Sequence, residues 1–185
     1  MKNINQEIIS ISDQLKLKPV TNKEQPLLLQ LMMDIYRPVY QHMWFDDGSG
    51  YVHSLFNPSH LALELNDADA RYYFVTSENK TIGILRFLLN HSTKSLTEQN
   101  TIKLHRIYLA PITHGKGFGR MIMNWLQQFA QNNQQESIWL ECMDTQLTAY
   151  NFYKRLGFEI FETFTLESPT MRQEYRGMVR MKLDI

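Results

Sequence analysis

Three closely spaced glycines, between a strand-like segment and an amphipathic one, constrain this chain more than any other feature. The segment reads THGKGFGRMI over residues 113–122, and it holds three of the 8 glycines in the chain. Apolar side chains follow at helical spacing: Phe118, Met121, Ile122, Trp125, Leu126 and Phe129. This spacing predicts a helix that packs one face on a sheet. Because a helix start exposes unpaired backbone N–H groups and a positive dipole end, the glycines can open it to a phosphate or pyrophosphate.

Three common phosphate-binding motifs do not fit the segment. A P-loop requires Ser or Thr after its Gly-Lys pair, but Gly117 follows Lys116. The dinucleotide fingerprint requires a glycine where Arg120 stands, and a kinase glycine loop joins two strands instead of opening a helix. A glycine-rich turn without any ligand therefore stays an open alternative at this point.

Length and composition are typical of one globular domain. The chain has 185 residues, of which 43% are hydrophobic and 21% charged. Nineteen basic and nineteen acidic side chains give no overall charge that would favour nucleic acid or a membrane surface. The chain has no apolar run long enough for a membrane span, no signal-peptide core at its N-terminus, and one cysteine, Cys142. We predict a single cytoplasmic domain over residues 1–185 without a metal site.

The pattern along the chain predicts a mixed α+β fold. Strands are predicted over 14–20, 101–109, 137–143, 158–166 and 176–183. A further strand from residue 72 is predicted to form a hairpin with the segment TIGILRFLL. Helices are predicted after the capping box at 21–24, from Asn57-Pro58, from the glycines to about 131, and over 146–156. Pro38 should end or kink the first helix, and Gly157 should cap the last.

Two segments together resemble the GNAT superfamily of N-acetyltransferases. HGKGFG resembles its acyl-CoA pyrophosphate loop, Gln/Arg-x-x-Gly-x-Gly/Ala, with His114 in the place of Gln or Arg. QLTAYNFYKRLGFE resembles its second signature, Asn-x-x-Ala-x-x-Phe-Tyr-x-x-x-Gly-Phe, with Gln146 in the place of Asn. The resemblance covers about residues 72–158. It implies a mostly antiparallel, mixed sheet of seven strands, flanked by about four helices and splayed open where acetyl-CoA enters.

The resemblance also implies where acetyl-CoA binds. Main-chain groups of Ile107, Tyr108 and Leu109 would pair with its pantetheine arm. The pyrophosphate would lie on the loop formed by His114, Gly115, Lys116, Gly117, Phe118, Gly119 and Arg120, with Gln146 nearby. Backbone N–H groups should supply most of the attraction, and Lys116 and Arg120 should add charge.

Tyr153 and Glu141 are the candidate catalytic residues. In similar enzymes, the tyrosine that matches Tyr153 donates a proton to the leaving CoA sulfur; the alternative is that Tyr153 only fills the core. Glu141 is the candidate base that takes a proton from the attacking ammonium, with a structural or substrate-orienting role as its alternative. His105 or a water chain to solvent could serve as base instead. Cys142 is expected to be a core residue, because the amine attacks the thioester directly.

The acceptor is predicted to be an amine, on a small molecule or a peptide. In this superfamily the first two helices and the last hairpin shape the acceptor site, and the first of these regions contains Asp34, Tyr36, Tyr40, Trp44, Asp46 and Asp47. Carboxylates and aromatic rings suit a cationic amine. The segments LHRIYLAP and NFYKRLGF are similar to those of bacterial spermidine/spermine acetyltransferases, so a polyamine is the leading hypothesis. Amino acids, peptide N-termini, lysine side chains and small antibiotics stay open as acceptors. A solvated turn is the alternative for this region. A homodimer, a non-catalytic acyl-CoA sensor of the same fold and an unrelated nucleotide-binding domain also stay open.

Overall fold

The computed structural model describes residues 7–96 and 98–185, and one eight-stranded sheet organises them. The strands are β1 (Ile9–Ser12), β2 (Leu15–Pro19), β3 (Ala70–Ser77), β4 (Lys80–Leu88), β5 (Thr101–Leu109), β6 (Ser137–Met143), β7 (Glu159–Thr165) and β8 (Gly177–Asp184). Their order in the sheet is β1-β2-β3-β4-β5-β6-β8-β7. The pair β5–β6 is parallel and the other neighbouring pairs are antiparallel.

Six α-helical segments in the described residues cover the two faces of the sheet. They are α1 (Gln25–Ile35), α2 (Arg37–Tyr40), α3 (Ser49–Leu55), α4 (Pro58–Asn66), α5 (Phe118–Asn132) and α6 (Leu147–Arg155). One core lies beneath α5 and α6 and includes Ile122, Leu126 and Leu140. The other core lies beneath α1–α4 and includes Leu28, Val52, Phe74 and Ile84. Helices cover both faces of the sheet, so the central strands are buried on both sides. The apolar residues on both sides of these strands require this burial.

The predicted α+β class with a mixed, mostly antiparallel sheet is confirmed, with one more strand and two more short helical segments than expected. The capping box at Thr21 and Glu24 forms, and Asn57 accepts a hydrogen bond from the backbone N–H of His60 at 2.9 Å. Pro38 lies in the first turn of α2, just after α1 ends. Gly157 has a left-handed φ of 94°, as its predicted capping role requires.

The sequence did not predict α3 or β1. The α3 segment, SGYVHSL, contains glycine, serine and a β-branched residue, which form helices weakly by themselves. Its Val52 is fully buried, so tertiary packing stabilises this helix where local propensity does not. The β1 strand has only four residues and lies at the sheet edge. No helix over residues 7–96 and 98–185 has both the length and the apolar character needed to cross a membrane.

Candidate active site

A cavity opens where the two parallel strands of the sheet separate. The β5–β6 pairing runs from Thr101↔Ser137 to Leu104↔Leu140 and then stops. Beyond that point β5 continues to pair with β4 as far as Gly83↔Leu109, and β6 pairs with β8 as far as Met143↔Met178. The cavity between them has a volume of about 750 Å³. The facing edges of both strands therefore carry backbone groups without a strand partner.

The glycine loop lies at the end of β5 and forms the start of α5. Gly115 and Gly117 have left-handed φ angles of 78° and 76°, and Gly117 is the residue that precedes the first turn of α5. A Cβ added at either position would meet no atom within 4 Å, so the space beside these glycines is open. His114, Lys116 and Arg120 are exposed around it. The arrangement offers backbone N–H groups to an anion at a helix start.

Two residues of this segment face the protein interior. The Phe118 side chain is buried in the core beneath α5, so only its backbone is available to a ligand. A Cβ on Gly119 would lie 3.4 Å from Cζ of Phe152 and 3.9 Å from Cδ1 of Leu109. Gly119 therefore permits close packing of α5 against α6 and β5, whereas Gly115 and Gly117 face open space.

The Tyr153 phenol lies on the cavity wall and is 8% exposed. Its ring packs between Phe152 and Phe158, at centroid distances of 5.2 and 5.6 Å. Burial raises the pKa of Tyr153, and the neighbouring Cys142 and Tyr40 raise it further. The phenol therefore keeps its proton at neutral pH and can act as a hydrogen-bond donor.

Glu141 also lies on the cavity wall, held between two cations. Its carboxylate accepts hydrogen bonds from Lys103 Nζ at 3.0 Å and from Arg180 Nε at 2.9 Å. Burial acts to raise the pKa of Glu141, but Lys103 and Arg180 outweigh it and lower the pKa below its ordinary value. The residue is therefore ionised at neutral pH, and it is a weaker base than a free carboxylate.

Aromatic side chains form one wall of the cavity. Tyr36 contacts Tyr51 and Tyr108 at ring-centroid distances of 5.1 and 5.6 Å, and Tyr40 lies 6.1 Å from Tyr108. Trp44 stacks on Tyr51 at 4.8 Å. We name Tyr36, Tyr40, Trp44, Tyr51 and Tyr108 the aromatic wall. All of these positions except Tyr51, which belongs to the unpredicted helix α3, were predicted from the sequence, although Tyr108 was predicted to contribute only backbone groups to cofactor binding.

A short backbone pairing covers the end of the cavity beside Trp44. Trp44 and Met171 form an isolated antiparallel bridge, and the Arg172 N–H donates to the Met43 carbonyl at 2.9 Å. The Phe45 N–H donates to the Thr170 carbonyl at 3.1 Å. The segment before α3 and the segment between β7 and β8 thus join at the cavity wall. No local pattern in the sequence predicts this contact, because it joins residues more than 120 positions apart.

Residues 29–158 match the acetyltransferase (GNAT) family. The chain belongs to this family. Its relatives include an uncharacterized N-acetyltransferase in the pepI 3' region of Lactobacillus delbrueckii subsp. lactis, 18% identical over 147 residues, which cover 79% of this chain and 85% of the relative. The predicted family and enzyme class, a GNAT acetyltransferase, are thereby confirmed.

Solved structures of GNAT proteins share the fold. RimL, a ribosomal L7/L12 alpha-N-protein acetyltransferase in complex with coenzyme A, has a TM-score of 0.73 and 16% identity over 97% of this chain and 98% of that chain. MccE, the microcin C7 self-immunity acetyltransferase in complex with acetyl-CoA and AMP, has a TM-score of 0.70 and 14% identity over 99% of this chain and 100% of that chain. At identities of 14–16%, these similarities show a shared fold and nothing further.

The GNAT fold brings most of the sequence-predicted site residues to one place. Ile107, Tyr108, Glu141, Gln146 and Tyr153 line the cavity, and the glycine loop follows the end of β5. The three predicted acceptor-site carboxylates behave differently. Asp46 lines the cavity, whereas Asp47 pairs with Arg37, and Asp34 lies off the cavity wall with the Gln30 amide donating to it at 2.9 Å. Within the described part of the chain, no cluster of His, Cys, Asp and Glu side chains could hold a metal ion.

Proposed function

We propose that this protein transfers an acetyl group from acetyl-CoA to a primary amine. The open edge of β5 carries the proposal, because it leads from the cavity to the glycine loop at the start of α5. An unpaired strand edge suits the amide groups of the pantetheine arm, and a helix start suits the pyrophosphate. Membership of the GNAT family supports the proposal, as do the coenzyme A in RimL and the acetyl-CoA in MccE.

The residues that would hold acetyl-CoA are those assigned from the sequence. Backbone groups of Ile107, Tyr108 and Leu109 would contact the pantetheine arm, and residues 114–120 would surround the pyrophosphate. The left-handed Gly115 and Gly117 leave open space at that position, which supports a ligand there. Gln146 lies on the cavity wall at the start of α6, where its amide could reach the same ligand.

Tyr153 and Glu141 have complementary roles in the proposed reaction. Acetyl-CoA supplies the acetyl group as a thioester. The amine nitrogen forms a bond to the acetyl carbon while the carbon–sulfur bond breaks, and the Tyr153 hydroxyl donates a proton to the leaving sulfur. The surplus proton of the amine passes to Glu141 or through water to solvent. Since Lys103 and Arg180 weaken Glu141 as a base, an orienting role toward the amine is the alternative for this residue.

The acceptor is a cationic amine in this proposal, on a small molecule or on a peptide. The aromatic wall and Asp46 support a cation near the site. A polyamine is the leading candidate from the sequence, and the name of RimL adds a protein N-terminus as a second candidate. We further propose that residues 1–185 act as one cytoplasmic domain; a homodimer stays an open prediction.

A thiol-release assay tests the proposed function directly. The purified chain would be mixed with acetyl-CoA and a panel of polyamines, amino acids, short peptides and aminoglycosides. We expect free thiol and acetylated product with at least one amine. Tight binding of acetyl-CoA without thiol release from any amine would contradict the enzyme and favour a non-catalytic sensor of the same fold. Displacement of bound acetyl-CoA by CoA, but not by ATP or NAD, would exclude an unrelated nucleotide-binding domain.

A further inference from the structure

His105 occupies an irregular position in β5, at the point where the cavity opens. Arg86 pairs with Arg106, and Phe87 pairs with Leu104, so His105 is an extra residue between two register positions. Such bulges bend a strand and redirect a side chain, and they are common beside active sites. The His105 ring is half-buried and lines both the 750 Å³ cavity and a smaller one of about 330 Å³ beside α4.

Arg86 fixes which ring nitrogen of His105 carries the proton. Its Nη1 atom lies within hydrogen-bonding distance of His105 Nδ1. A guanidinium has only donors, so Nδ1 must accept this hydrogen bond, and the proton of the neutral ring must be on Nε2. Burial lowers the pKa of His105 to about 2, and the charges of Arg106, Arg86 and Lys103 act in the same direction. The ring is therefore neutral at physiological pH, and its low pKa together with its engaged Nδ1 lone pair makes it a poor candidate for the base that the sequence suggested.

The Nε2–H group of His105 is available to a ligand in the large cavity. Nε2 has no hydrogen-bond partner in the portion of the chain that the structure describes. Arg86 lines only the smaller cavity and holds the Nδ1 edge of the ring. We infer that the opposite edge, with Nε2, faces the larger cavity. A donor on the cavity wall that no protein group engages can donate to an acceptor oxygen of a ligand at this position.

The charged groups around the large cavity are already engaged. Asp46 accepts hydrogen bonds from the backbone N–H groups of Gly48 and Gly50, at 3.2 and 3.1 Å. Glu141 is held by two cations, and buried Arg106 forms two hydrogen bonds with Glu64 at 2.7 and 2.9 Å. A polyamine would bring several ammonium groups to a cavity whose described wall has two carboxylates, Glu141, which two cations neutralise, and Asp46, which is exposed. Unpaired ammonium groups are costly to bury, so the cavity favours a single positive charge.

We propose that the acceptor is a primary amine with one positive charge and a nearby carbonyl oxygen, as at a peptide N-terminus, and that His105 Nε2 donates to this oxygen. The ammonium group would lie against the aromatic wall, where tyrosine and tryptophan faces attract a cation. His105 is thus a specificity residue for the acceptor. The inference rests on the proposed acetyl transfer, and it selects among the acceptors that this function allows.

Matched acceptors and His105 variants test the inference. The acceptors are a short peptide amide with a free N-terminus, an alkylamine of equal length without a carbonyl, and spermidine. We expect the wild-type protein to prefer the peptide. His105→Leu should lower kcat/KM for the peptide about tenfold, the size of one lost hydrogen bond, and leave the alkylamine unchanged within about twofold. His105→Gln, which keeps a donor, should recover part of the loss, and His53→Leu, at an exposed histidine on α3, is the control.

The possible failures are distinguishable. An equal loss on the peptide and the alkylamine, or a wild-type preference for spermidine, would overturn the inference and leave acetyl transfer intact. No thiol release from any amine would overturn the proposed function, and the inference with it. Calorimetric binding of acetyl-CoA would show that each variant is folded. Nitrogen NMR of the wild-type ring gives a readout independent of activity, and a proton on Nδ1 would also overturn the inference.

Discussion

At the residue scale, Tyr153 has a structural role that is compatible with the chemical role proposed for it. Its ring fills part of the core beneath α6, while its hydroxyl reaches the cavity wall. The two roles conflict only in appearance, because the burial that packs the ring also raises the pKa of the phenol and keeps it protonated. The core alternative from the sequence and the proposed acid role are therefore compatible.

Replacing Tyr153 by phenylalanine isolates the hydroxyl from the packing. We expect Tyr153→Phe to lower kcat about 10²-fold, a typical contribution of a general acid. Acetyl-CoA affinity should change little, because the ring stays in place; steady-state kinetics and calorimetry would measure the two effects. Tyr150→Phe, on the same helix, is the matched control. An unchanged kcat for Tyr153→Phe would reject the acid role.

At the element scale, the junction between β5 and α5 depends on glycines with different functions. Gly117 has a left-handed φ and open space around it, so a side chain there would strain the backbone and enter the proposed pyrophosphate position. Gly119 permits α5 to pack on Phe152. The loop therefore needs glycine for backbone access at one position and for packing at the other.

Substitutions in the loop separate backbone contacts from side-chain charge. We expect Gly117→Val and Gly119→Val to abolish measurable acetyl-CoA binding, because each moves or blocks the helix start. Lys116→Ala should only weaken binding, since it removes one exposed charge and leaves the N–H groups in place. Calorimetry compares the three variants. Equal losses would show that side-chain charge, and not the backbone, dominates binding; thermal melts would show whether Gly119→Val also disturbs α6.

The buried ion pair between α4 and β5 gives a second test at this scale. Glu64 and Arg106 are 7% and 6% exposed, and removal of one partner of such a pair costs about 3–5 kcal/mol. We expect Glu64→Leu to lower the free energy of unfolding by about this amount in urea denaturation. Glu64→Leu combined with Arg106→Met should recover part of the loss, because only Arg86, which also lies 3.6 Å from the Glu64 carboxylate, is then left without this partner. Glu24→Gln, at the exposed pair with Lys18, should cost less than about 1 kcal/mol.

At the scale of the whole molecule, the buried neutral His105 makes stability depend on pH. Its pKa is about 2 in the folded protein and about 6.5 when unfolded, so below pH 6.5 the unfolded chain binds the extra proton. Stability is then lost as pH falls, at up to about 1.4 kcal/mol per pH unit. We expect about 2 kcal/mol less stability at pH 5 than at pH 7. Urea denaturation at both values would measure the loss, and an equal slope in His105→Gln would contradict this origin.

The secondary structure of the second half of the molecule was predicted most completely from the sequence. The bounds predicted for β5 and β6, 101–109 and 137–143, are those of the structure, and α5 ends within one residue of its predicted end. The strands are short apolar runs between polar segments or proline, and α5 has strong apolar periodicity and begins directly after glycines. The helix α3 was missed because its residues have little helical propensity. Its Tyr51, which completes the aromatic wall, was missed with it.

The sequence alone determined the fold class, the family and the glycine-loop position, because periodicity, caps and spaced motifs are local properties of the chain. Only the tertiary structure decided which polar groups are free to act. Glu141, Asp47 and Arg106 are each neutralised by partners distant in sequence or on another element, and Arg86 fixes the His105 proton across two strands. Hydrogen bonding and charge compensation depend on distance in space, so the character of the acceptor site emerged only from the folded molecule.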